Sequence, residues 1–588
     1  MMGRNSCDRW TDTIHSKYWN PLLIVTVVTL IYGCQKSQFP ATSARNDSES
    51  AKVTASTQTV SSPANKINFV DITESAGVLW VGRNGEESGH FSILETFGAG
   101  CAIEDYDRDD KLDLFFAGGG KFGQNETILP VPMALYRQIF DWKFVLVTEA
   151  AKLHPIQHYH HGTWTVDFDE DGFPDLLLTG WNGLQLFHNQ GDGTFADVTN
   201  QSGFLDPLWS VAAGWGDFNR DQVLDLFVGH YVDWSFQNNP TCIDSKTELR
   251  NPCDPNQFHG LPCTVYLGNG DGTFRDASTE LGVHEIGKAL GVVIVDLNLD
   301  GQSDIYVAND AVPNQLYLSQ PSGNYKEVGI ECGVALGESG SSDASMGVDV
   351  ADLDGDGKLD LWVANYEDQT FALYRNLGND AFTHASRSMG ITAVGAFAVG
   401  FGTVIFDADG DGYSDIFCAN GHVWAPHPTP DRRQFPYLFL NDRGKRFRNI
   451  APQVAGYLSQ RHLGRGAAVG DLDGNGTPDL VVTHTNEPVA ILRNTTHIAN
   501  WISIRLIGRT SPRSAIGARV TIRAGGREQI GIVKGGASYL STSDRTIYFG
   551  LGQATSVDSI TVDWPSGQTT VLKQMASNQR LTLIEAND

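Results

Sequence analysis

A short alternation of acidic and apolar positions recurs along the chain. In "DLDGDGKLDL", residues 352–361, aspartates occupy positions 1, 3, 5 and 9, and position 6 is glycine. The run that follows, "LWVAN", is apolar and β-prone, so the pattern predicts a strand directly after an acidic loop. An EF-hand would need a bidentate glutamate at position 12 and a helix there, but position 12 is Val363. The pattern therefore predicts a cation-binding loop of another kind.

The same pattern occurs seven times, and we number these motifs 1 to 7. Positions 1, 3, 5 and 9 hold 25 aspartates and three asparagines, all of which offer side-chain oxygens to a hard cation such as Ca²⁺. We expect up to seven structural calcium sites, with a backbone carbonyl at position 7 as a further ligand. The expected side-chain ligands are Asp105, Asp107, Asp109 and Asp113; Asp167, Asp169, Asp171 and Asp175; Asp217, Asn219, Asp221 and Asp225; Asp296, Asn298, Asp300 and Asp304; Asp352, Asp354, Asp356 and Asp360; Asp407, Asp409, Asp411 and Asp415; and Asp471, Asp473, Asn475 and Asp479.

The residue at position 6 predicts that the loops differ in calcium affinity. Glycine stands there in five motifs and permits a positive φ, whereas motif 1 has Asp110 and motif 3 has Gln222. With Asn219 and Gln222, motif 3 should bind calcium most weakly. The alternative is that the loops are held by hydrogen bonds from the aspartate side chains, without a metal.

The spacing of the motifs predicts the architecture. Their starts lie 50 to 79 residues apart, which suits a unit of about four strands. The residue five positions before the first aspartate is glycine in six copies and Ala212 in the third. Such small residues predict that this stretch is the innermost strand of each unit, where the backbone of a neighbouring unit approaches closely. The glycines are Gly100, Gly162, Gly291, Gly347, Gly402 and Gly466. The sequence thus predicts an all-β, seven-bladed propeller.

The two ends of the repeat array are complementary. Motif 7 is followed by "AILRN" and then directly by "WISIRLIG", without the "FADVT"-type strand that closes the other units. That strand occurs instead near the N-terminus, in "INFVDITESAGV" at residues 67–78. We therefore expect the N-terminal strand to complete the last blade.

Composition and the N-terminal segment indicate the compartment. The net charge of −27 argues against nucleic-acid binding, because such proteins carry basic surfaces. Basic residues precede an apolar run at 22–32 that is too short to cross a bilayer and ends in "IYGC". Residues 35–65 are polar and read as a flexible tether. We expect export; an uncleaved membrane anchor is the alternative.

Several longer motifs resemble known families. The repeats resemble the FG-GAP or VCBS repeats of integrin-α-type propellers, and "AIGARVTIRAGG", "GGASYLS", "YFGLG" and "VDWPSG" resemble the ASPIC/UnbV domain. With "ANDAVPNQLYL" and "ANGHVW", residues 67 to 588 resemble the family of cartilage acidic protein 1 and its bacterial relatives. The "IYGC" segment resembles a bacterial lipobox with Cys34 as the lipidated residue. The resemblance implies an extracellular, calcium-loaded propeller without a settled activity.

These observations divide the chain into four segments. We expect a lipoprotein-type signal peptide at 1–34, a tether at 35–65, the propeller at 66–497 and a small β domain at 498–588. The localisation would be the cell envelope or outer surface, or secretion if Cys34 is not lipidated. Contact with the membrane would be made only through this anchor.

The cysteines and histidines outside the motifs are further candidates. Cys242, Cys253 and Cys263 lie in the longest insertion, and export makes a disulfide plausible. The family resemblance implies the pair Cys242 and Cys253, although Cys263 is equally reachable. Buried thiols are expected for Cys101, Cys332 and Cys418. In "QHYHHG", His158 and His160 share one side of a strand and His161 lies opposite; this cluster is either a transition-metal or substrate site or a polar strand end.

Three functions are compatible with the sequence. The leading one is a monomeric, surface-anchored binding or adhesion module for an extracellular protein or polysaccharide. The second is a calcium-dependent polysaccharide lyase, which would need a base such as His158 or His160 close to Arg461 or Arg465. The third is an envelope scaffold without a diffusible ligand.

Overall fold

The computed structural model describes residues 67–244, 248–424 and 431–587. Of the sequence predictions, the signal segment, Cys34 and the tether lie outside these residues. Within the described part of the chain, no helix combines the length and the apolar character that crossing a membrane requires.

The fold is almost entirely β, which confirms the predicted class. Among the described residues, seven four-stranded antiparallel sheets each carry one motif between their first and second strands. We call these sheets blades 1 to 7, after their motifs.

The strands of each blade follow in sheet order. Blade 1 consists of Cys101–Glu104, Asp113–Phe116, Ala134–Phe140 and Lys143–Leu146; blade 2 of Tyr159–Val166, Asp175–Trp181, Gly183–Asn189 and Phe195–Asp197; blade 3 of Ser210–Gly216, Asp225–His230, Thr264–Gly268 and Phe274–Asp276; blade 4 of Ala289–Val295, Asp304–Asn309, Gln315–Ser319 and Tyr325–Glu327. Blade 5 consists of Ser345–Ala351, Asp360–Asn365, Ala372–Gly378 and Ala381–His384; blade 6 of Gly400–Phe406, Asp415–Asn420, Tyr437–Asn441 and Phe447–Asn449; blade 7 of Gly464–Gly470, Asp479–His484, Ala490–Asn494 and Phe69–Asp71.

Short elements connect or extend these sheets. One-turn α-helices occupy Thr73–Ala76, Thr199–Ser202, Ser278–Leu281 and Gly329–Cys332, each directly after a fourth strand. Two-stranded ribbons pair Gly120–Phe122 with Ile128–Pro130, Cys242–Ile243 with Arg250–Asn251, and Leu261–Pro262 with Ile286–Gly287. Short 3₁₀ turns lie at Glu86–Ser88, Ile93–Thr96, Pro255–Gln257, Ile391–Val394, Ala451–Gln453 and Tyr457–Ser459.

The first strands of the blades form a closed cycle. Each first strand contacts the first strand of the next blade, and that of blade 7 contacts that of blade 1. Five of the six glycines before the motifs lie in these strands as predicted, and Gly100 directly precedes the strand Cys101–Glu104. A Cβ on Gly347 would lie 2.1 Å from the carbonyl oxygen of Phe401, and one on Gly291 would lie 2.2 Å from that of Met346. The absence of a side chain at these positions therefore lets neighbouring blades converge.

The N-terminal strand completes blade 7, which confirms the prediction from the two ends of the array. Phe69–Asp71 pairs antiparallel with Ala490–Asn494, with Phe69 opposite Asn494. Phe69 is 3% exposed and packs edge-on against Phe406 of blade 6. The first described strand of the chain is thus part of the core between the last two blades.

The C-terminal β domain, expected as a small β domain at 498–588, consists of seven strands. They are Trp501–Ile507, Arg519–Ala524, Arg527–Ile532, Ile547–Gly550, Ser556–Asp563, Thr569–Ala576 and Gln579–Ile584. Three of them form one sheet, in which Trp501–Ile507 pairs in parallel with Gln579–Ile584, and four form another. Its apolar core is continuous with that of blades 2 and 3, through residues such as Trp164 and Trp215.

A segment of this domain runs inside the ring. Residues 534–545, here called the channel segment, hydrogen-bond to the first strands of several blades. The amide of Trp215 donates to the carbonyl of Gly535 at 2.6 Å, and that of Thr163 donates to the carbonyl of Leu540 at 3.0 Å. The amide of Ser538 donates to the carbonyl of Val348 at 2.7 Å. The C-terminal domain therefore fills the axis of the ring as well as covering one end of it.

The closure of blade 7 can be tested at Phe69. Phe69→Ala should lower the free energy of unfolding by about 3 kcal/mol, because it leaves a cavity between blades 6 and 7. Val70→Ala is the matched control on the same strand; Val70 is 42% exposed, so its truncation should cost less than about 0.5 kcal/mol. Chemical denaturation of both variants measures the difference. Equal losses would contradict a strand that is integrated into the core.

Candidate functional site

All seven acidic motifs adopt one loop geometry. The position-6 residue has a positive φ in every copy, from 65° at Asp110 to 101° at Gly172, and Gln222 adopts 69°. The position-1 aspartate accepts the amide of position 6 in every motif. In motif 4, Asp296 Oδ1 accepts from the amide of Asp300 at 3.1 Å, and Oδ2 accepts from that of Gly301 at 2.8 Å. The loop thus wraps around its first carboxylate.

The position-9 aspartate links each loop to its blade. It is at most 2% exposed in all seven motifs. One carboxylate oxygen accepts the amide of motif position 2, and the other accepts an amide of the third strand, at 2.7 to 3.3 Å. Each oxygen retains a second lone pair, so these bonds leave the residue able to contact a cation as well.

The structure brings the predicted ligands together. Three carboxylate oxygens lie within 4.8 Å of one another in the sets Asp105, Asp107 and Asp113; Asp167, Asp169 and Asp175; Asp352, Asp354 and Asp356; and Asp407, Asp409 and Asp415. In motifs 3, 4 and 7 an asparagine takes position 3 or 5. Two buried oxygens, Asp107 Oδ1 and Asp167 Oδ1, have no hydrogen-bond partner among the described residues. Orphaned carboxylate oxygens within such a cluster fit an oxygen-loving cation.

The raised pKa values of several clustered aspartates also favour a bound cation. Burial raises the pKa of Asp113 to about 9, and it raises the pKa of both Asp225 and Asp360 to about 8. In motif 6, burial and the neighbouring aspartates raise the pKa of Asp407 to about 8. Such carboxylates are costly to keep ionised without positive charge nearby, and a divalent cation would supply it.

Side-chain amides connect six of the seven motifs to the next blade. In five blades, the donor is an Asn or Gln side chain at the third-strand position whose backbone amide binds the position-9 aspartate. It donates to the backbone carbonyl of position 2 in the motif of the preceding blade. In blade 4 the donor is Gln302, which lies in the motif itself. The six bonds measure 2.9 to 3.1 Å and join Gln138 to Leu472, Asn189 to Tyr106, Gln302 to Phe218, Asn376 to Leu297, Asn441 to Leu353, and Asn494 to Ala408. Gly268 occupies the corresponding position in blade 3. We missed these amides in the sequence, although an asparagine recurs in "LFHN", "LYRN", "LFLN" and "ILRN".

The C-terminal domain lies against the motif-bearing end of the ring. Arg580 Nη2 lies 2.7 Å from Asp471 Oδ2, and Arg513 Nε lies 3.5 Å from Asp167 Oδ2. Arg519 donates to the backbone carbonyl of motif 5 at Gly357, at 3.0 Å. These basic residues complement the acidic loops, and this face of the ring is therefore covered.

The histidine cluster does not form an open site. His160 and His161 are buried, and burial lowers the pKa of His161 to about 3 and that of His160 well below its usual range. His161 Nε2 accepts from Trp209 Nε1 at 3.1 Å, and its ring stacks on Phe97. The ring centroid of His158 lies 5.9 Å from that of His160. Both buried rings are neutral and enclosed, as at a polar strand end.

The two arginines proposed for a lyase differ in environment. Arg465 is 1% exposed and donates to the backbone carbonyls of Gly421, Gly464 and Thr96 at 2.8 to 3.2 Å. Its guanidinium stacks over Phe401, and burial lowers its pKa to about 10. Arg461 is exposed. Arg465 and His160 are both enclosed, so neither can contact a polysaccharide without a rearrangement.

The insertion contains one disulfide, between Cys242 and Cys253. This is the pairing that the family resemblance implied. Cys263 is a buried free thiol, as are Cys101, Cys332 and Cys418.

The end of the ring opposite the motifs carries an open cleft of about 700 Å³. The segments that lead into the first strands of the blades and the segments that follow their second strands meet at this end of the ring. Arg432 pairs with Glu86 at 2.8 Å on one wall, and burial raises the pKa of Glu95 to about 7 on another. The lining also includes Arg83, Glu87, Phe91, Lys121 and Trp424. His422, close by, is buried with Nε2 3.1 Å from Glu367 Oε1.

The chain matches two family models and is similar to several known proteins. The FG-GAP-like repeat matches residues 167–228, 261–307, 296–363, 352–418 and 407–482, and the ASPIC and UnbV family matches residues 508–588. Human cartilage acidic protein 1 is 27% identical over 519 residues, which cover 83% of this chain and 71% of that protein. The mouse protein of that name is 26% identical over 337 residues, covering 54% of this chain and 48% of its own length. The Xenopus tropicalis protein of that name is 26% identical over 447 residues, covering 69% of this chain and 61% of its own length.

Solved structures with low similarity were also found. A lectin of Agrocybe aegerita that recognises non-reducing terminal N-acetylglucosamine is 15% identical, with a TM-score of 0.36, over 68% of this chain and 96% of that one. The rhamnogalacturonan lyase YesW is 12% identical, with a TM-score of 0.33, over 68% and 72%. Likeness at this level says nothing about what this chain binds.

The bonds between blades can be tested at Asn441. Asn441 Nδ2 donates to the carbonyls of Leu353 and Ser414, and its Oδ1 accepts the amide of Gly444. Asn441→Ala should lower the free energy of unfolding by about 2 kcal/mol, because it leaves buried carbonyls unpaired. Exposed Asn200 provides the control, and Asn200→Ala should change stability by less than about 0.5 kcal/mol. Similar values for the two variants would contradict the role of the amide.

Proposed function

We propose that this chain, in which FG-GAP-like repeats are followed by an ASPIC and UnbV domain, is an extracellular calcium-binding module that holds a protein or glycan partner. The observation that carries the proposal is the clustering of carboxylates in the acidic motifs, with buried oxygens that lack hydrogen-bond partners, such as Asp107 Oδ1 and Asp167 Oδ1. The exported location rests on the N-terminal sequence and on the relatives' similarity. We propose Cys34 as the lipidated residue of a mature, surface-anchored form.

Calcium would be held by the side chains at positions 1, 3, 5 and 9 and by the position-7 carbonyl. When bound, the ion would supply positive charge beside the buried position-9 carboxylates, such as Asp113 and Asp360, whose pKa is raised by burial. Extracellular calcium modules have dissociation constants of roughly 10⁻⁴ to 10⁻³ M, so about 1 mM calcium stabilises each site by about 0.4 to 1.4 kcal/mol. Seven sites together would give roughly 3 to 10 kcal/mol, comparable with the stability of a whole domain.

The open cleft is the surface that we assign to the partner. The C-terminal domain covers the motif-bearing end of the ring, whereas the opposite end has the 700 Å³ cleft with aromatic and charged side chains. Phe91 and Trp424 offer flat apolar surfaces, and Arg83 and Lys121 offer hydrogen-bond donors. Aromatic faces combined with polar groups suit a sugar ring or a peptide.

Two of the four residues named for a lyase are enclosed in the fold. Arg465 donates both of its Nη groups to backbone carbonyls, and His160 is buried away from solvent. We therefore propose a binding function rather than a catalytic one.

Calcium removal tests the metal part of the proposal. Transfer of the full chain from about 1 mM calcium into EGTA should lower the melting temperature by roughly 3 to 9 °C, because each kcal/mol shifts the melting temperature of a chain of this size by only about 1 °C. Asp300→Asn should reduce the calcium-dependent part of the stability and leave the stability in EGTA unchanged or higher, because it removes repulsion between carboxylates. Asp558→Asn, at an exposed position outside the motifs, is the control. A melting temperature that does not respond to EGTA would refute calcium binding by the motifs.

A glycan array and a panel of extracellular proteins test the partner site. Trp424→Ala should weaken binding to any positive partner by at least about tenfold, because it removes an aromatic face from the cleft. Phe397→Ala is the matched control, since Phe397 is 78% exposed at the rim of the ring outside the cleft. Binding that is lost in Phe397→Ala but retained in Trp424→Ala would move the partner to another surface.

A further inference from the structure

One third-strand position distinguishes the seven motifs from one another. In blade 1 this position is Arg137. The residue before it, Tyr136, pairs with Leu114 at motif position 10, and the residue after it, Gln138, donates its amide to Asp113 at motif position 9. The occupants of this position, in order of the blades, are Arg137, His188, Leu267, Leu318, Arg375, Leu440 and Arg493. The side chain at this position therefore stands beside the acidic loop of its own blade, and it is basic in some blades and apolar in others.

The arginines contact the carboxylates at positions 3 and 5. Arg137 Nε lies 2.5 Å from Asp107 Oδ2, and its Nη2 lies 3.3 Å from Asp109 Oδ2. Arg375 makes the same pair of contacts in motif 5, with Asp354 Oδ2 and, at 3.7 Å, with Asp356 Oδ2. In motif 7, Arg493 Nη2 lies 2.8 Å from Asp473 Oδ2. These are the carboxylates expected to hold calcium.

Motifs 1 and 5 have a second cation at position 7. Lys111 Nζ lies 2.9 Å from Asp109 Oδ2, and Lys358 Nζ lies 2.6 Å from Asp356 Oδ2. Motif 6 provides the contrast, because it has the same four aspartates but Tyr413 at position 7 and Leu440 on the third strand. Arg527 of the C-terminal domain contacts motif 6 through the backbone carbonyl of Asp411.

We propose that motifs 1 and 5 are a distinct class of calcium site, in which the arginine and lysine hold the loop in place before calcium binds and lower its affinity. The inference rests on the proposed calcium binding. A fixed unit charge about 5 Å from a divalent ion repels it enough, even at the dielectric constant of water, to weaken binding by roughly tenfold. The same contacts offset the repulsion between carboxylates when calcium is absent. Motif 6, with Leu440 and Tyr413 at these two positions, depends more strongly on the ion.

Hydrogen exchange measured by mass spectrometry across a calcium titration of the full chain resolves the motifs individually. Calcium should increase the protection of peptides covering residues 407–415 more than that of peptides covering 352–360, and this gain is compared within each peptide because motif 6 is the more buried of the two loops. The calcium concentration at half-protection should be roughly tenfold higher for motif 5 than for motif 6. Peptides covering motif 4, at 296–304, provide an internal reference within every sample.

Exchanges at the third-strand position test the cause. Arg375→Leu should lower the calcium midpoint of motif 5 by about tenfold and reduce its protection in EGTA, whereas Arg375→Lys should keep the midpoint within about threefold. The reciprocal Leu440→Arg should raise the midpoint of motif 6 by about tenfold. Lys358→Gln, at a partly exposed position, should also lower the calcium midpoint of motif 5. This variant replaces Arg375→Leu in the test if Arg375→Leu fails to fold.

The outcomes separate this inference from the proposed function. If calcium protects the motifs but Arg375→Leu and Lys358→Gln leave the motif 5 midpoint unchanged or raise it, the two-class proposal is wrong and calcium binding stands. If no motif in the unsubstituted chain responds to calcium, the proposed function fails and this inference fails with it.

Discussion

The buried aspartate at position 9 of each motif is the constraint on which the remaining structure depends. Its two oxygens accept one amide from the acidic loop and one from the third strand of the same blade, in all seven copies. This arrangement fixes where the carboxylates at positions 1, 3 and 5 lie relative to the sheet. It also places a carboxylate where its ionised form is costly, as the raised pKa of Asp113 and Asp360 indicates. A divalent cation in the loop would meet that electrostatic demand.

The loops also organise the assembly around them. Position 2 of six motifs accepts an amide from a neighbouring blade, so these six loops contribute both to their own blade and to the junction with the next. The C-terminal domain uses the same face, where its arginines contact the motifs, and its channel segment lines the axis of the ring. One end of the ring is therefore occupied by the protein itself, and the other end carries the open cleft. This asymmetry is the reason for assigning partner binding to the cleft.

Much of the fold could be predicted from the sequence because it depends on local patterns. The acidic motif, the apolar strand after it and the strand missing after motif 7 were enough to place Phe69–Asp71 beside Ala490–Asn494. The bonds between distant segments could not be predicted. "GGASYLS" gives no local sign that Ser538 and Leu540 reach the first strands of the blades. Arg375 reads as an ordinary polar strand residue until the third strand is seen beside Asp354. The histidines were ambiguous because burial, which neutralises His160 and His161, cannot be derived from their spacing.

The central claim is that calcium occupies these motifs, and a crystal structure of the full chain grown in millimolar calcium tests it most directly. The account predicts ions in the loops at about 2.3 to 2.6 Å from the oxygens of positions 1, 3, 5 and 9 and from the position-7 carbonyl. Loops that contain only water at hydrogen-bonding distances of about 2.7 to 3.0 Å under those conditions would contradict it.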